Sequence, residues 1–206
     1  MSLPAVLSRM AELERLLQPP APATTPVASP ATAPAAFTSA LQGAMGTTAA
    51  AAPAMATGGT PAGQAILSLV QSEVGVAEQP PGSNDAPRIA QYRQATAGSG
   101  VGPWCAYFVS WAAREAGVPL GDSGQGFGLV DDVYAWAQRT GKAIPNGPGV
   151  QPQPGDLIVW DEHIGVVESV GADGSVTTVE GNSSHMVARR VHGPGGDGAI
   201  GYVRLG

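Results

Sequence analysis

Apolar positions along the chain change their period twice. From Leu3 to Leu17 they fall at Leu3, Val6, Met10, Leu13 and Leu17, the alternating three-and-four step of a helix with one apolar seam. Ser2 can cap that helix, Pro4 suits its first turn, and Pro19-Pro20 stops it. The sequence predicts a short amphipathic helix over residues 1–18. So short a helix either frays alone or docks on a protein partner, and the sequence leaves both open. Over residues 19–59 the periodicity lapses into Pro, Ala, Thr and Gly, and no charged residue occurs from Leu16 to Ser72. A stretch that cannot bury a core reads as a disordered linker. FTSALQGAM, over 37–45, is a short apolar island within it.

Periodicity returns near Thr60, and residues 60–206 form the expected globular domain. Thr60 and Pro61 have the look of a helix start and Gly75 of a stop, with Ile66, Leu69, Val70 and Glu73 on one face. After the loop EQPPGSN, a second helix is predicted over 86–97 with Asp85 as its cap. A third lies within GPWCAYFVSWAAREAG (102–117), capped by Gly102 with Pro103 as its first residue. A fourth runs over 129–139, with Asp131 and Asp132 at its start and Gly141 beyond its end. From Pro154 onward the pattern shortens to DLIVW, HIGVVESV, SVTTVEG, HMVARRV and AIGYVR, β-rich runs broken by Gly, Asp and Asn. Helices first and a strand meander after predict an α+β fold, N-terminal helices packed on a C-terminal antiparallel sheet.

Composition narrows the function classes. The net charge is -6, which argues against nucleic acid as a partner, since that needs basic patches. No transmembrane segment is visible. The first twenty residues make a poor secretory signal, because Arg9, Glu12, Glu14 and Arg15 interrupt any apolar run. A protein of this sequence that acts outside the cytoplasm would need an exit route other than a Sec-type signal.

Cys105 is the only cysteine, so no internal disulfide supports the fold. It falls in the first turn of the third helix, on the face shared with Phe108, Val109, Ala112 and Ala116. Free N–H groups and the helix dipole favour a thiolate there. Free cysteine is also one of the most buried and inert residue types, so local sequence supports either reading. A cysteine nucleophile needs a base, and the histidines are His163, His185 and His192. If Gly171–Gly174 is a hairpin loop, Val170 faces Ser175, Gly165 faces Glu180 and His163 faces Asn182. His163 then shares a sheet face with Asn182 directly opposite and Glu180 on the diagonal. That is the second half of a Cys–His–polar arrangement. His192, beside Arg189 and Arg190, reads as exposed. No short ligand pair with metal-site spacing favours a zinc site, and no cofactor is implied. Arg88 and Arg93 are either contacts for a substrate carboxylate or a solvated helix face. Asp156 reads as a turn residue.

PWCAYFVSWAAREAGVP, QPGDLIVWDEHIGVV and TVEGNSS, in that order, resemble the CHAP family of cysteine, histidine-dependent amidohydrolases and peptidases. That family belongs to the papain-like group, whose members cut bacterial peptidoglycan. The resemblance implies a papain-like domain with Cys105 as nucleophile, His163 as general base, Glu180 as the polar third member and Asn182 as the asparagine that follows it. Many members carry glutamine directly before the cysteine, where this chain has Trp104, so the side chain completing the oxyanion hole is not identified. The implied activity is cleavage of a peptidoglycan amide bond, by an amidase or endopeptidase, through a cysteine thioester. Its setting would be a phage lysin or a flagellum-associated enzyme. The competing reading is a catalytically silent module that binds wall peptides in an envelope assembly.

Overall fold

The computed structural model describes residues 58–98 and 100–206, so the helix expected over 1–18 and nearly all of the linker lie outside it. Among the described residues the fold is α+β. The helices α1 (Pro61–Ser72), α2 (Pro87–Arg93), α3 (Cys105–Glu115) and α4 (Val130–Arg139) precede the strands β1 (Ala143–Pro145), β2 (Leu157–Val159), β3 (Ile164–Val170), β4 (Val176–Ser183), β5 (Met186–His192) and β6 (Gly201–Val203). The strands form one antiparallel sheet in the order β1-β6-β2-β3-β4-β5. β1 was not foreseen. It is a three-residue edge strand ending in proline, and proline is tolerated at edges because no ladder partner needs its missing N–H.

Helix starts follow the sequence closely at α1 and less so elsewhere. The Thr60 hydroxyl accepts from the Gly63 N–H at 2.9 Å, a cap worth about 1 kcal/mol. α2 starts one residue later than expected and ends at Arg93, four residues short of the expected end. Asp85 accepts from the Ala86 N–H and ion-pairs with Arg93 instead of capping the helix proper. α3 starts at Cys105 itself, with Trp104 in the cap position. Gly102 and Pro103 therefore precede the helix, and Cys105 keeps its place in the first turn.

The helices lie on one face of the sheet. Ile66, Val70, Ile89, Phe108, Val109 and Ala112 pack in one core with Leu157, Val159, Ile164, Val166, Val179 and Val203. Around the start of α3 an aromatic group forms: the rings of Tyr92 and Phe108 meet edge-on at 5.1 Å, and Trp104 lies 5.9 Å from Tyr92. Such pairs add about 0.5–1.5 kcal/mol each beyond their burial. They fix the end of the helix that carries the thiol. Gly181 of β4 lets α3 come close, since a Cβ there would lie 2.7 Å from Phe108 Cβ. The other face holds a smaller apolar group of Ile158, Val167, Val176, Ala199 and Tyr202.

The β3–β4 register departs from the expected one and then returns to it. At the hairpin Val170 pairs with Val176, one residue beyond the Ser175 expected. A bulge between Val167 and Ser169 absorbs the extra residue, and Val166 pairs with Val179. Extended toward Gly165, that pairing is the register that sets Gly165 against Glu180. A bulge inserts one residue on one strand and so cancels a one-residue slip.

Candidate active site

Cys105 is buried and opens α3. The first N–H groups of a helix have no partner within it and carry its positive end. The thiol thus sits where negative charge is favoured. The ring of His163 is close enough for the thiol to favour its charged form.

His163 is placed by the tight β2–β3 connection, closed by the Trp160 N–H donating to the His163 carbonyl at 2.8 Å. The same turn packs the Trp160 ring beside the imidazole, centroids 5.7 Å apart. Nε2 of His163 lies 2.9 Å from Glu180 Oε2. Glu180 is almost fully buried and accepts from the Thr178 hydroxyl at 2.6 Å. Gly165 makes room for it, as a Cβ there would come within 2.8 Å of Glu180 Cγ.

The electrostatics here favour charge on both His163 and Glu180. Burial alone would strip the proton from His163, but its hydrogen bonds to Cys105 and Glu180, with the charges behind them, push its pKa up to about 9. Burial alone would protonate Glu180. Hydrogen bonds from His163, Thr178 and His192 outweigh that and hold it at about 2. An ionised carboxylate only accepts hydrogen bonds, so the His163 nitrogen facing it carries a proton. An imidazolium between a sulfur and a carboxylate is the state such a chain favours.

Cys105 borders a cleft of about 370 Å³ lined by Pro103, Gly128, Leu129, Val130, Asp131, Asp161 and Glu162. Two of the acidic residues come from the turn that places His163, and Asp131 comes from the first turn of α4. Among the described residues no group of three or more His, Cys, Asp or Glu side chains is arranged to hold a metal ion.

The structure brings Cys105, His163 and Glu180 together and takes Asn182 elsewhere. The expected pairing of Asn182 opposite His163 fails because β4 turns irregular between Glu180 and Ser183, with Asn182 at φ 58°. Its amide donates to Glu78 Oε1 at 3.0 Å and to Asn84 Oδ1 at 3.3 Å. Asn182 thus ties the end of β4 to the loop before α2. Trp104 is fully buried and its indole N–H also donates to Glu78 Oε1, at 3.0 Å, so that N–H is not turned to a substrate. Arg88 ion-pairs with Glu73 and lies 4.8 Å over the Trp111 ring. Arg93 binds Asp85 and the Asn84 carbonyl. Both arginines brace the fold. Asp156 accepts from the Gln153 N–H in its turn and also grips Arg204 with both oxygens. His185 stays largely exposed, 3.3 Å from Glu78.

His192 corrects the sequence reading most. Its side chain is only 19% exposed, and Nε2 lies 2.7 Å from Glu180 Oε1. A signal was there to find: His192 pairs with Val176, so it shares a face with Thr178 and Glu180.

Residues 96–182, which include Cys105, His163 and Glu180, match the family model described as CHAP domain. Over that stretch the chain is similar to the CHAP domain family, a likeness that points in general to peptidoglycan-related amidase or peptidase activity. Comparison with curated proteins gave no match, and neither did comparison with solved structures.

Proposed function

We propose that the chain is a peptidoglycan hydrolase that cleaves an amide bond, as an amidase or endopeptidase, through a thioester on Cys105. The observation that carries this reading is the grouping of Cys105, His163 and Glu180, with Glu180 2.9 Å from the imidazole and Cys105 bordering a cleft. A nucleophilic helix end facing a histidine on the sheet is also the layout of the papain-like group, which supports placing the domain there.

In the proposed reaction the Cys105 thiolate attacks an amide carbonyl of a wall peptide. Oxyanion charge develops beside the first turn of α3, where the Cys105 backbone N–H is the proposed donor. The C–N bond breaks, and the His163 imidazolium gives its proton to the leaving amine. Water then attacks the thioester. Neutral His163 takes a proton from that water, the carboxylic acid product leaves and gives its remaining acidic proton to solvent, and the thiolate–imidazolium pair is restored. Glu180 holds the ring and stabilises its charged form.

The test is digestion of purified peptidoglycan by the full chain, read by mass spectrometry of released fragments. New amino termini, or free peptide and glycan from an amidase cut, support the reading and identify the bond. Peptides that bind without any new terminus would favour the silent wall-peptide module instead. An envelope location is proposed from the wall substrate, a phage or flagellar setting from the poor secretory signal, and the flagellar one also from the uncharged region behind the first apolar seam. Fractionation of the host cell tests them.

A further inference from the structure

Glu180 has two oxygens, and His163 takes only one of them. Oε2 faces His163, whereas Oε1 accepts from both the Thr178 hydroxyl at 2.6 Å and His192 Nε2 at 2.7 Å. Two imidazoles therefore hold one carboxylate, one at each oxygen. His192 is itself held. Its ring lies 4.8 Å from the Trp160 ring, the same indole that packs on His163. The Trp160 indole N–H is fixed to the Gly196 carbonyl at 2.7 Å, in the turn just after His192. On its outer side His192 Nδ1 lies 3.7 Å from Asp197, which is well exposed.

From this geometry, and resting on the functional reading above, we infer that His192 is a positioning residue that donates to Glu180 Oε1 and so fixes the carboxylate with Oε2 aimed at His163. A carboxylate on a flexible stem has several rotamers. Thr178 restrains it from within its own strand. His192 reaches it from β5, so the orientation rests on two strands. Because Glu180 is an acceptor only, the interaction needs an N–H on His192 Nε2. The charged groups around the pair are Glu180, His163 and Asp197. No step of the proposed reaction requires His192 to touch substrate.

The test uses the full chain and reads the protonation midpoint of His163 by NMR of its ring protons, assigned by difference with His163→Ala. Three variants are compared with the parent. His192→Phe fills the space beside Trp160 without a donor, His192→Ala also lacks one, and His192→Gln restores an N–H. The expected result is that the His163 midpoint moves down from about 9 toward 6.5 in the two variants without a donor and stays near the parental value in His192→Gln. A parental midpoint in a folded His192→Phe or His192→Ala protein would overturn the inference, even if its melting temperature fell. So would an equal drop in His192→Gln, since the donor would then be irrelevant. The readout does not depend on peptidoglycan turnover. An inactive parent with a shifted His192→Phe midpoint would defeat the functional reading and leave this inference standing.

Discussion

Two buried glutamates do different jobs within one domain. Glu180 is in contact with the ring that meets the thiol. Glu78 has a fully buried side chain and accepts from the Trp104 indole, the Asn182 amide and the Gly82 N–H, the last at 2.7 Å. Burial raises both carboxyls and hydrogen bonding lowers both, with lowering the net result. Residue type and burial therefore do not separate a site from a brace. The partners do. Around Glu78 the donors are groups whose loss would loosen α2, α3 and β4 relative to one another. Glu78 has an imidazole near it as well, His185 at 3.3 Å, but that ring is largely exposed; around Glu180 two donors are imidazoles, and one of them is the partner of the thiol.

The largest expected effect tests the Glu180 side at its reacting end. Cys105→Ser should lower peptidoglycan turnover by roughly 10³-fold or more while leaving the thermal midpoint near the parental one. Retained turnover in a folded Cys105→Ser protein would end the cysteine-hydrolase reading. Next comes Glu180→Gln, expected to lower turnover by about 10²-fold, within the range of general acid–base catalysis. The alkaline limb of its pH–rate profile should also move from near 9 toward 6.5, since the imidazolium loses its charged partner. An unchanged limb would place Glu180 with Glu78 as a brace.

The same substitution has a stability signature. His163 is raised from 6.5 to about 9, so its stabilising contribution is full below pH 6.5 and is lost as pH rises through 9. Glu180 is lowered from 4.5 to about 2, so its contribution is full above pH 4.5 and is lost as pH falls through 2. Denaturant titrations of parent and Glu180→Gln should therefore differ most between pH 4.5 and 6.5. A difference independent of pH would contradict the ionised pair.

How much of this was legible in the sequence follows from the reach of each contact. The order of helices and strands, the cap at Thr60 and the meeting of His163 with Glu180 come from local pattern and one hairpin register. That register was off by one at Val170 and restored by the bulge near Glu168, a compensation that composition does not announce. Glu78 was invisible because its partners are Trp104, 26 residues away, and Asn182, 104 residues away. Asn182 was misplaced for the same reason: its positive φ ends the alternation on which the face argument rested. His192 reads as exposed from its neighbours Arg189 and Arg190, and only the β4–β5 register, which sets it opposite Val176, brings it to the face of Glu180.

The smaller effects fall on the bracing side. Glu78→Ala leaves Trp104, Asn182 and Gly82 donors without their acceptor and should cost on the order of 3 kcal/mol of stability in denaturant melts. Its remaining folded protein should lose less turnover than Glu180→Gln. The reverse order would erase the contrast between the two glutamates. Asn182→Ala should be milder, about 1 kcal/mol, with the pH–rate limb unmoved. Collapse of activity in Asn182→Ala beside a near-normal Glu180→Gln would make the asparagine the orienting residue.

The central claim is that Cys105 and His163 form a reactive pair in the folded protein, and the rate of Cys105 alkylation by iodoacetamide measures it most directly. The chain has no other cysteine, so labelling reports this thiol alone. The account predicts rapid alkylation of the native parent at neutral pH and much slower alkylation in folded His163→Ala. A thiol that reacts only after denaturation, or at the same rate with and without His163, would contradict it.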